Sequence, residues 1–193
     1  MSEPRVQIAI ITGSTREGRF GPMVGRWIAG RAALRDDVTI DEIDLADVGL
    51  PAVLPRKPEP AAQRYVDRIG RADAFVLVTP EYNHGYPASL KQAIDVPRAE
   101  WRAKPVGFVS YGGMAGGLRA VEQLRQVFPE VQATTVRDTV SFHNFWERFD
   151  GLGRLLDPEG PEQAATTMLD QLVWWGRALR AARLGDRRRT EAA

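Results

Sequence analysis

Residues Ile8 to Gly21 read IAIITGSTREGRFG. An apolar run ends in Thr12 and Gly13 and gives way to Ser14, Thr15, Arg16, Glu17, Gly18, Arg19 and Phe20. The apolar part suits a strand buried on both faces. The seven residues after Gly13 suit the interior of neither strand nor helix: they form a basic, hydroxyl-rich loop. Phe20, Val24, Trp27, Ile28 and Leu34 then recur at helical spacing. Strand, loop and amphipathic helix in that order form the first unit of a parallel α/β sheet. A loop so equipped, between a strand end and a helix start, suits an anion.

The same alternation continues along the chain. Val38 to Leu45 has a broken alternation, as an exposed edge strand would. Pro51, Pro55, Pro58 and Pro60 mark a loop, and Tyr65, Val66 and Ile69 a short helix. AFVLVT (Ala74 to Thr79) is a second fully buried strand, followed by the loop PEYNHGYP and the helix ASLKQAID. PVGFVS (Pro105 to Ser110) is the next strand. The glycine loop YGGMAGG leads from it into Leu118, Val121, Leu124, Val127 and Phe128 at helical spacing. Val131 to Val140, rich in Thr and Val, reads as the last strand. Met168, Leu172, Trp175 and Leu179 form the stripe of a final helix, with Arg177, Arg180 and Arg183 off it.

Five strand-helix units predict a five-stranded parallel sheet with helices on both faces. One domain over residues 1–185 is expected, with 186–193, including Arg187, Arg188 and Arg189, as a flexible tail. Ligands of such sheets sit beyond the carboxyl ends of the strands, near the topological switch point. GSTREGR, PEYNHGYP and SYGGMAGG all leave those ends, so they are read as one site.

Composition narrows the chemistry. The 193 residues carry no cysteine and two histidines, His84 and His143. Thiolate catalysis, thiolate metal sites and disulfides are excluded, and a multi-histidine metal centre is disfavoured. A formal net charge of +1 gives no overall pull toward nucleic acid or membrane. No apolar run reaches membrane-spanning length, and MSEPRVQ lacks a signal-peptide pattern, so a cytoplasmic protein is expected.

The first loop fails two familiar nucleotide motifs. Gly13 and Gly18 have the separation of a triphosphate loop, but Arg19 and Phe20 stand where Lys and Ser or Thr are required. Arg16 stands where the first glycine of a dinucleotide fingerprint would precede Gly18 and Gly21. Ser14, Thr15, Arg16 and Arg19 suit a monophosphate without a metal. A helix start capped by Ser14 or Thr15, with the arginines in solvent, accounts for the same residues. In the second loop, Pro80, Glu81, Tyr82, Asn83 and His84 offer backbone and side chains along which a planar ring would lie. His84 reads equally as a surface histidine. In the third, Gly112, Gly113, Gly116 and Gly117 let backbone approach a ligand or simply make tight turns.

GSTREGRFG, TPEYNHGYPASLKQAID and SYGGMAGGLRAVEQLRQVF together resemble the NADPH-dependent FMN reductase family, over Ile8 to about Phe128. The resemblance implies a flavodoxin-like three-layer fold and bound FMN, with NADPH or NADH as electron donor. It implies that Ser14, Arg16 and Arg19 hold the flavin phosphate. It places Pro80, Glu81, Tyr82 and Asn83 along the isoalloxazine, with Ser110, Gly112 and Gly113 near its pyrimidine end. Thr15, Gly21, His84 and Tyr111 count among the neighbouring contacts. Gly18, Arg19 and Phe20 depart from relatives that carry serine and asparagine after the first-loop arginine. The segment HNFWERFDG, His143 to Gly151, also resembles relatives but receives no chemistry.

The implied reaction passes hydride from a nicotinamide through FMN to a small acceptor: flavin, quinone, azo or nitro compound, metal ion or oxygen. No side chain is assigned as catalytic acid or base, and no metal is expected. A homodimer or homotetramer is implied as well. A flavodoxin-like electron carrier or a flavin-binding regulator is the alternative. A signalling receiver is disfavoured, because Thr12-Gly13 and Thr79-Pro80 stand where acidic residues would be needed.

Overall fold

The computed structural model describes residues 4–51, 53 and 59–191, with residues 187–191 described by backbone alone. Pro55, Pro58 and the side chains of Arg187, Arg188 and Arg189 lie outside the described residues. The first half of the chain forms β1 (Val6–Thr12), α1 (Gly21–Ala33), β2 (Val38–Asp44), α2 (Leu45–Val48), α3 (Pro60–Arg71), β3 (Ala74–Pro80) and α4 (Ala88–Asp95). Then come β4 (Pro105–Gly112), α5 (Leu118–Val127), β5 (Thr134–Thr135), β6 (Val140–His143), a 3-10 turn at Phe145–Glu147 and α6 (Glu159–Glu191).

The sheet order is β2-β1-β3-β4-β5, all parallel, with β6 also pairing with β4. β1 pairs with β2 from Val6↔Val38 and with β3 from Ile8↔Ala74. The chain therefore steps outward from β1 to β2 and then returns across it to β3. This makes the junction of β1 and β3 the topological switch point. β2 is the edge strand its broken alternation predicts.

Alternation along each strand divides the core in two. Ile8 and Ile10 of β1, Val76 and Val78 of β3 and Val109 of β4 face α1 and α6. Ala9 and Ile11, Phe75 and Leu77, and Val106 and Phe108 face α3, α4 and α5. The result is the expected three-layer sandwich.

Three expectations are corrected. The last strand, expected over Val131 to Val140, is split into β5 and β6. Val136 N still donates to Val106 O at 2.9 Å, but the Arg125 guanidinium takes the carbonyls of Val136 and Arg137, each at 2.8 Å, so these oxygens are turned from the ladder. Gln171 of α6 holds Asp138 from the other side. The sheet thus has six strands filling five positions. Leu34 lies beyond α1 and is 74% exposed. The buried stripe of α6 is Ala165, Met168, Leu169, Leu172 and Val173, so Trp175 is off it and both Trp174 and Trp175 are exposed. α6 extends to Glu191. Off the stripe, Arg180 and Arg183 each lie 3.1 Å from a carboxylate oxygen of Asp73, which anchors α6 to the amino end of β3. Among the described residues no helix is long and apolar enough to cross a membrane.

Candidate cofactor site

Loop geometry at the switch point starts with Gly13. Its amide donates to Val78 O at 2.9 Å, extending the pairing of β1 with β3 by one residue. A Cβ here would meet Leu90 at 3.1 Å and Val78 O at 3.2 Å, so the position suits glycine. The chain then leaves the sheet and does not enter α1 until Gly21. Phe20 is the N-cap of α1 and makes no side-chain cap bond. Neither Ser14 nor Thr15 caps the helix, so the capped-helix account of these hydroxyls fails.

The residues between have distinct roles. Ser14 is fully buried, its Oγ 2.7 Å from Tyr82 Oη. Arg19 turns back: its Nη1 donates to Ser14 O at 3.1 Å and lies 2.7 and 2.8 Å from the two Asp44 oxygens. Asp44 also accepts the Ala46 amide at 3.0 Å, capping α2. Arg19 thus clamps the loop to β2 and is charge-compensated. Arg16 forms no ion pair among the described residues. Its guanidinium lies 5.7 Å from the centroid of the Tyr82 ring, a cation–π arrangement. The amides of Ser14, Thr15 and Arg16 donate to no described residue. A guanidinium with no ion pair among the described residues, beside open amides, has the chemistry that suits an anion.

The second loop is a tight hairpin. Tyr82 N donates to Gly85 O at 2.8 Å, and Gly85 N to Tyr82 O at 3.0 Å. Asn83 and His84 between them have φ of 49° and 68°, as both central residues of a type I′ turn require. Asn tolerates this region well and His less so. Gln123 of α5 holds the turn by donating to His84 O at 2.9 Å. The His84 side chain is exposed and belongs to the turn tip. Glu81 is not free to contact a ligand through its carboxylate. It accepts Arg119 N at 3.1 Å and Arg119 Nη1 at 2.7 Å, and its side chain is only 9% exposed. It sits at the N-terminus of α5, where the helix dipole favours negative charge.

These two loops face one another across a cleft of about 580 Å³. Five of the sequence-predicted residues line it: Thr15, Arg16, Glu81, Tyr82 and Asn83. Pro87, Ala88 and Ser89 line it too and were missed. Their signal was available, since Pro87 is the N-cap of α4 just after the hairpin and a helix N-terminus favours anions. Ser89 Oγ donates to Gly13 O at 2.8 Å, tying that helix end to the first loop.

The other predicted residues stand behind the cleft. Pro80 ends β3, and Ser110, Tyr111 and Gly112 are buried in β4. Glu81 N donates to Tyr111 O at 3.0 Å, joining the second and third loops. The Tyr111 hydroxyl is buried beside Ser14 without an aligned hydrogen-bond partner, and burial pushes its pKa well up. Gly21 has a packing role, because a Cβ there would lie 2.9 Å from Thr12 and 3.1 Å from Tyr111 Oη.

The glycine loop after β4 is clamped from behind. Gly117 has φ of 86°, and a Cβ would lie 2.6 Å from that of Ser110. Ser110 and Ser141 both donate to Gly116 O at 2.8 Å, and His143 Nδ1 donates to Met114 O at 2.7 Å. Asn144 N donates to Gly113 O at 3.0 Å, and Trp146 packs over Gly113. The segment His143 to Gly151 therefore braces this loop. The amides of Gly113, Met114 and Ala115 donate to no described residue, leaving a second set of open donors.

The donor set fits FMN. Arg16, Thr15 and open amides suit a phosphate; the hairpin backbone and the glycine-loop amides suit the edge of a flat ring.

Comparison with known proteins agrees. Residues 6–147 match the NADPH-dependent FMN reductase family. An NAD(P)H-dependent FMN reductase of Schizosaccharomyces pombe is 35% identical over 130 residues, covering 63% of this chain and 64% of that protein, just under two thirds of its length. A quinone reductase of Escherichia coli is 37% identical over 142 residues, covering 66% of this chain and 71% of that one. In structure, the flavoenzyme NAD(P)H:(acceptor) oxidoreductase FerB of Paracoccus denitrificans superposes with a TM-score of 0.71 at 23% identity, covering 90% of this chain and 98% of that one. This last likeness speaks to the fold. Sheet order, loop geometry and sequence match lead to one conclusion: the chain belongs to the NADPH-dependent FMN reductase family.

Proposed function

We propose that the protein is an NAD(P)H-dependent flavin oxidoreductase that holds FMN at the junction of β1 and β3 and serves a small-molecule acceptor. The observation that carries this reading is the contrast between two arginines of one loop. Arg19 is neutralised by Asp44, whereas Arg16 lines the cleft beside open amides with no ion pair among the described residues. FMN, when bound, supplies the redox chemistry, accepting hydride from a reduced nicotinamide and passing it on.

The chain's own residues bind and orient. Arg16, Thr15 and the amides of Ser14 to Arg16 would hold the phosphate. The hairpin of Tyr82 and Asn83 would flank the ring. The amides of Gly113 to Ala115 would meet the ring's polar end and favour negative charge there, as preorganised donors do. Glu81 and Arg119 keep the second and third loops in fixed relation. No side chain needs to act as acid or base in hydride transfer.

The choice between NADPH and NADH belongs to this proposal, as do a cytoplasmic place and a homo-oligomer. The cysteine-free composition supports the cytoplasmic place. The exposed, edge-to-face Trp174–Trp175 pair on α6, with ring centroids 5.0 Å apart, supports self-association.

The test is anaerobic. Protein loaded with FMN should lose its flavin absorbance on addition of NADPH or NADH and regain it on addition of a quinone. Flavin that dithionite reduces but neither nicotinamide does would replace the reductase by an electron carrier.

A further inference from the structure

We propose that His143 is a positioning residue for the flavin: by holding the Met114 carbonyl it aims glycine-loop amides at the ring's polar end, and so raises the reduction potential of bound FMN. The inference rests on the cofactor reading given under Proposed function and deepens it.

The carbonyls of the glycine loop are taken from one side. Gly113 O accepts the amides of Asn144 at 3.0 Å and Gly116 at 3.1 Å. Met114 O accepts His143 Nδ1–H at 2.7 Å. Gly116 O accepts the hydroxyls of Ser110 and Ser141, each at 2.8 Å. Ser141, His143 and Asn144 belong to β6 or follow it directly, on the edge of β4 away from β3. The peptide units are trans, so each amide points opposite to the carbonyl of the residue before it. With Gly113 O and Met114 O turned toward β6, the amides of Met114 and Ala115 point away from it. That is the side of the hairpin, where Glu81 packs against Gly112. Neither amide donates to a described residue.

His143 holds the weakest link in this clamp. Gly113 O and Gly116 O each have two donors, whereas Met114 O has His143 alone among the described residues. A carbonyl offers no proton, so the neutral imidazole must carry its hydrogen on Nδ1. His143 is itself fixed. It pairs with Gly112 in the ladder, and its own carbonyl accepts Arg148 Nε at 3.2 Å. Two residues on, the Phe145 ring packs 4.7 Å from that of Phe20 and 5.4 Å from that of Tyr111. Without the imidazole, the Met114–Ala115 peptide is free to turn, and the Ala115 amide turns with it.

Reduction by hydride adds two electrons and one proton to the ring, which leaves a negative charge on it. Amides fixed in advance favour that charge without reorganising. They bind reduced flavin more tightly than oxidised flavin, and that difference is a higher potential.

The experiment uses His143→Leu, which keeps bulk and loses the donor, and His143→Asn, which keeps a donor but cannot carry charge. The potential of bound FMN is measured against reference dyes, and the affinity for oxidised FMN by fluorescence quenching. In His143→Leu, binding of reduced FMN should weaken about fivefold to tenfold more than binding of oxidised FMN. That is a fall of about 20–30 mV, at about 30 mV per tenfold for two electrons. His143→Asn should return the potential to within about 10 mV of the unaltered protein. An unchanged potential in His143→Leu overturns the proposal. So does an equal fall in both variants, which would assign the effect to the imidazole and not to the peptide it holds. Nitrogen NMR of the imidazole in the unaltered, flavin-free chain needs neither variant nor cofactor. The neutral ring should be the Nδ1–H tautomer, and a mixture of tautomers overturns the clamp. The Nδ1–H form in a chain that binds no FMN would keep the clamp and remove the cofactor reading.

Discussion

Replacing Arg16 with alanine tests the site most directly, and the structure supplies its magnitude. Arg16 forms no ion pair among the described residues, so its removal leaves no carboxylate stranded and reports on the ligand. A charge-assisted hydrogen bond contributes about 1.5–3 kcal/mol. Arg16 is exposed, which places its bond near the lower end of that range. At tenfold per 1.4 kcal/mol, FMN affinity should fall roughly ten- to thirtyfold. A second effect runs beside the first. The guanidinium rests over the Tyr82 ring at 5.7 Å, a contact worth about 0.5–1 kcal/mol at exposed sites. Its loss loosens Tyr82 for any flavin and should weaken riboflavin and FMN alike, by up to about fivefold. The decisive quantity is therefore the ratio of the two losses, read from parallel fluorescence titrations. It should exceed about fivefold at low salt and shrink toward one as salt shortens the screening length from about 10 Å at 0.1 M to about 3 Å at 1 M. Arg16→Lys should recover part of it, since lysine keeps the charge and loses the fork. A ratio near one at low salt would place Arg16 away from the phosphate and remove the main support for the cleft as a mononucleotide site.

Alkaline pH offers a second test, through two buried phenols. Desolvation pushes the pKa of Tyr65 and Tyr111 above the ordinary phenol value, so the fold favours their neutral forms. Their contribution to stability is complete below about pH 10, where an unfolded tyrosine titrates, and is lost as pH rises from there toward the folded values. Phenolate absorbance from these two should therefore grow with unfolding, and Tyr111→Phe should flatten the fall of stability with pH; titration of both near pH 10 in the native protein would contradict their burial. Light scattering should give the mass of a dimer or tetramer, and Trp174→Glu with Trp175→Glu should lower it. A monomeric mass for the unaltered chain would remove the oligomer from the proposal.

The buried strands were legible because burial on both faces writes a continuous apolar run, as in Ala74 to Thr79. The edge strand was legible for the converse reason. Local signals also placed α4 and the three loops. What escaped was set by partners distant in sequence. Nothing in Val131 to Val140 says that Arg125 would take two of its carbonyls. Nothing in the first loop says that Arg19 would pair with Asp44, 25 residues on. Nor does any local pattern announce that the Ser14 hydroxyl would lie 2.7 Å from that of Tyr82. The stripe of α6 was misphased because tryptophan is apolar enough to look buried, while Gly176, which packs against Val6, carries no hydrophobic signal. In each case the residue type was right for the site and the contact was decided by the fold.

The sandwich places α6 over strands made far earlier. β1 and β3 are complete by Pro80, yet the helix face that covers one side of them begins at Ala165. At about 5–20 residues per second, a ribosome takes roughly five to twenty seconds to cross that interval. Throughout it, Ile8, Ile10, Val76 and Val78 lack the cover of Ala165, Met168, Leu169, Leu172 and Val173. The half-made chain is thus a sticky nascent polypeptide with that face incompletely covered, and its closure waits until α6 has left the exit tunnel. A chain stopped before Ala165 would keep that face bare, and strong binding of a hydrophobic dye would reveal it; a truncated chain that bound no dye would show that α1 suffices.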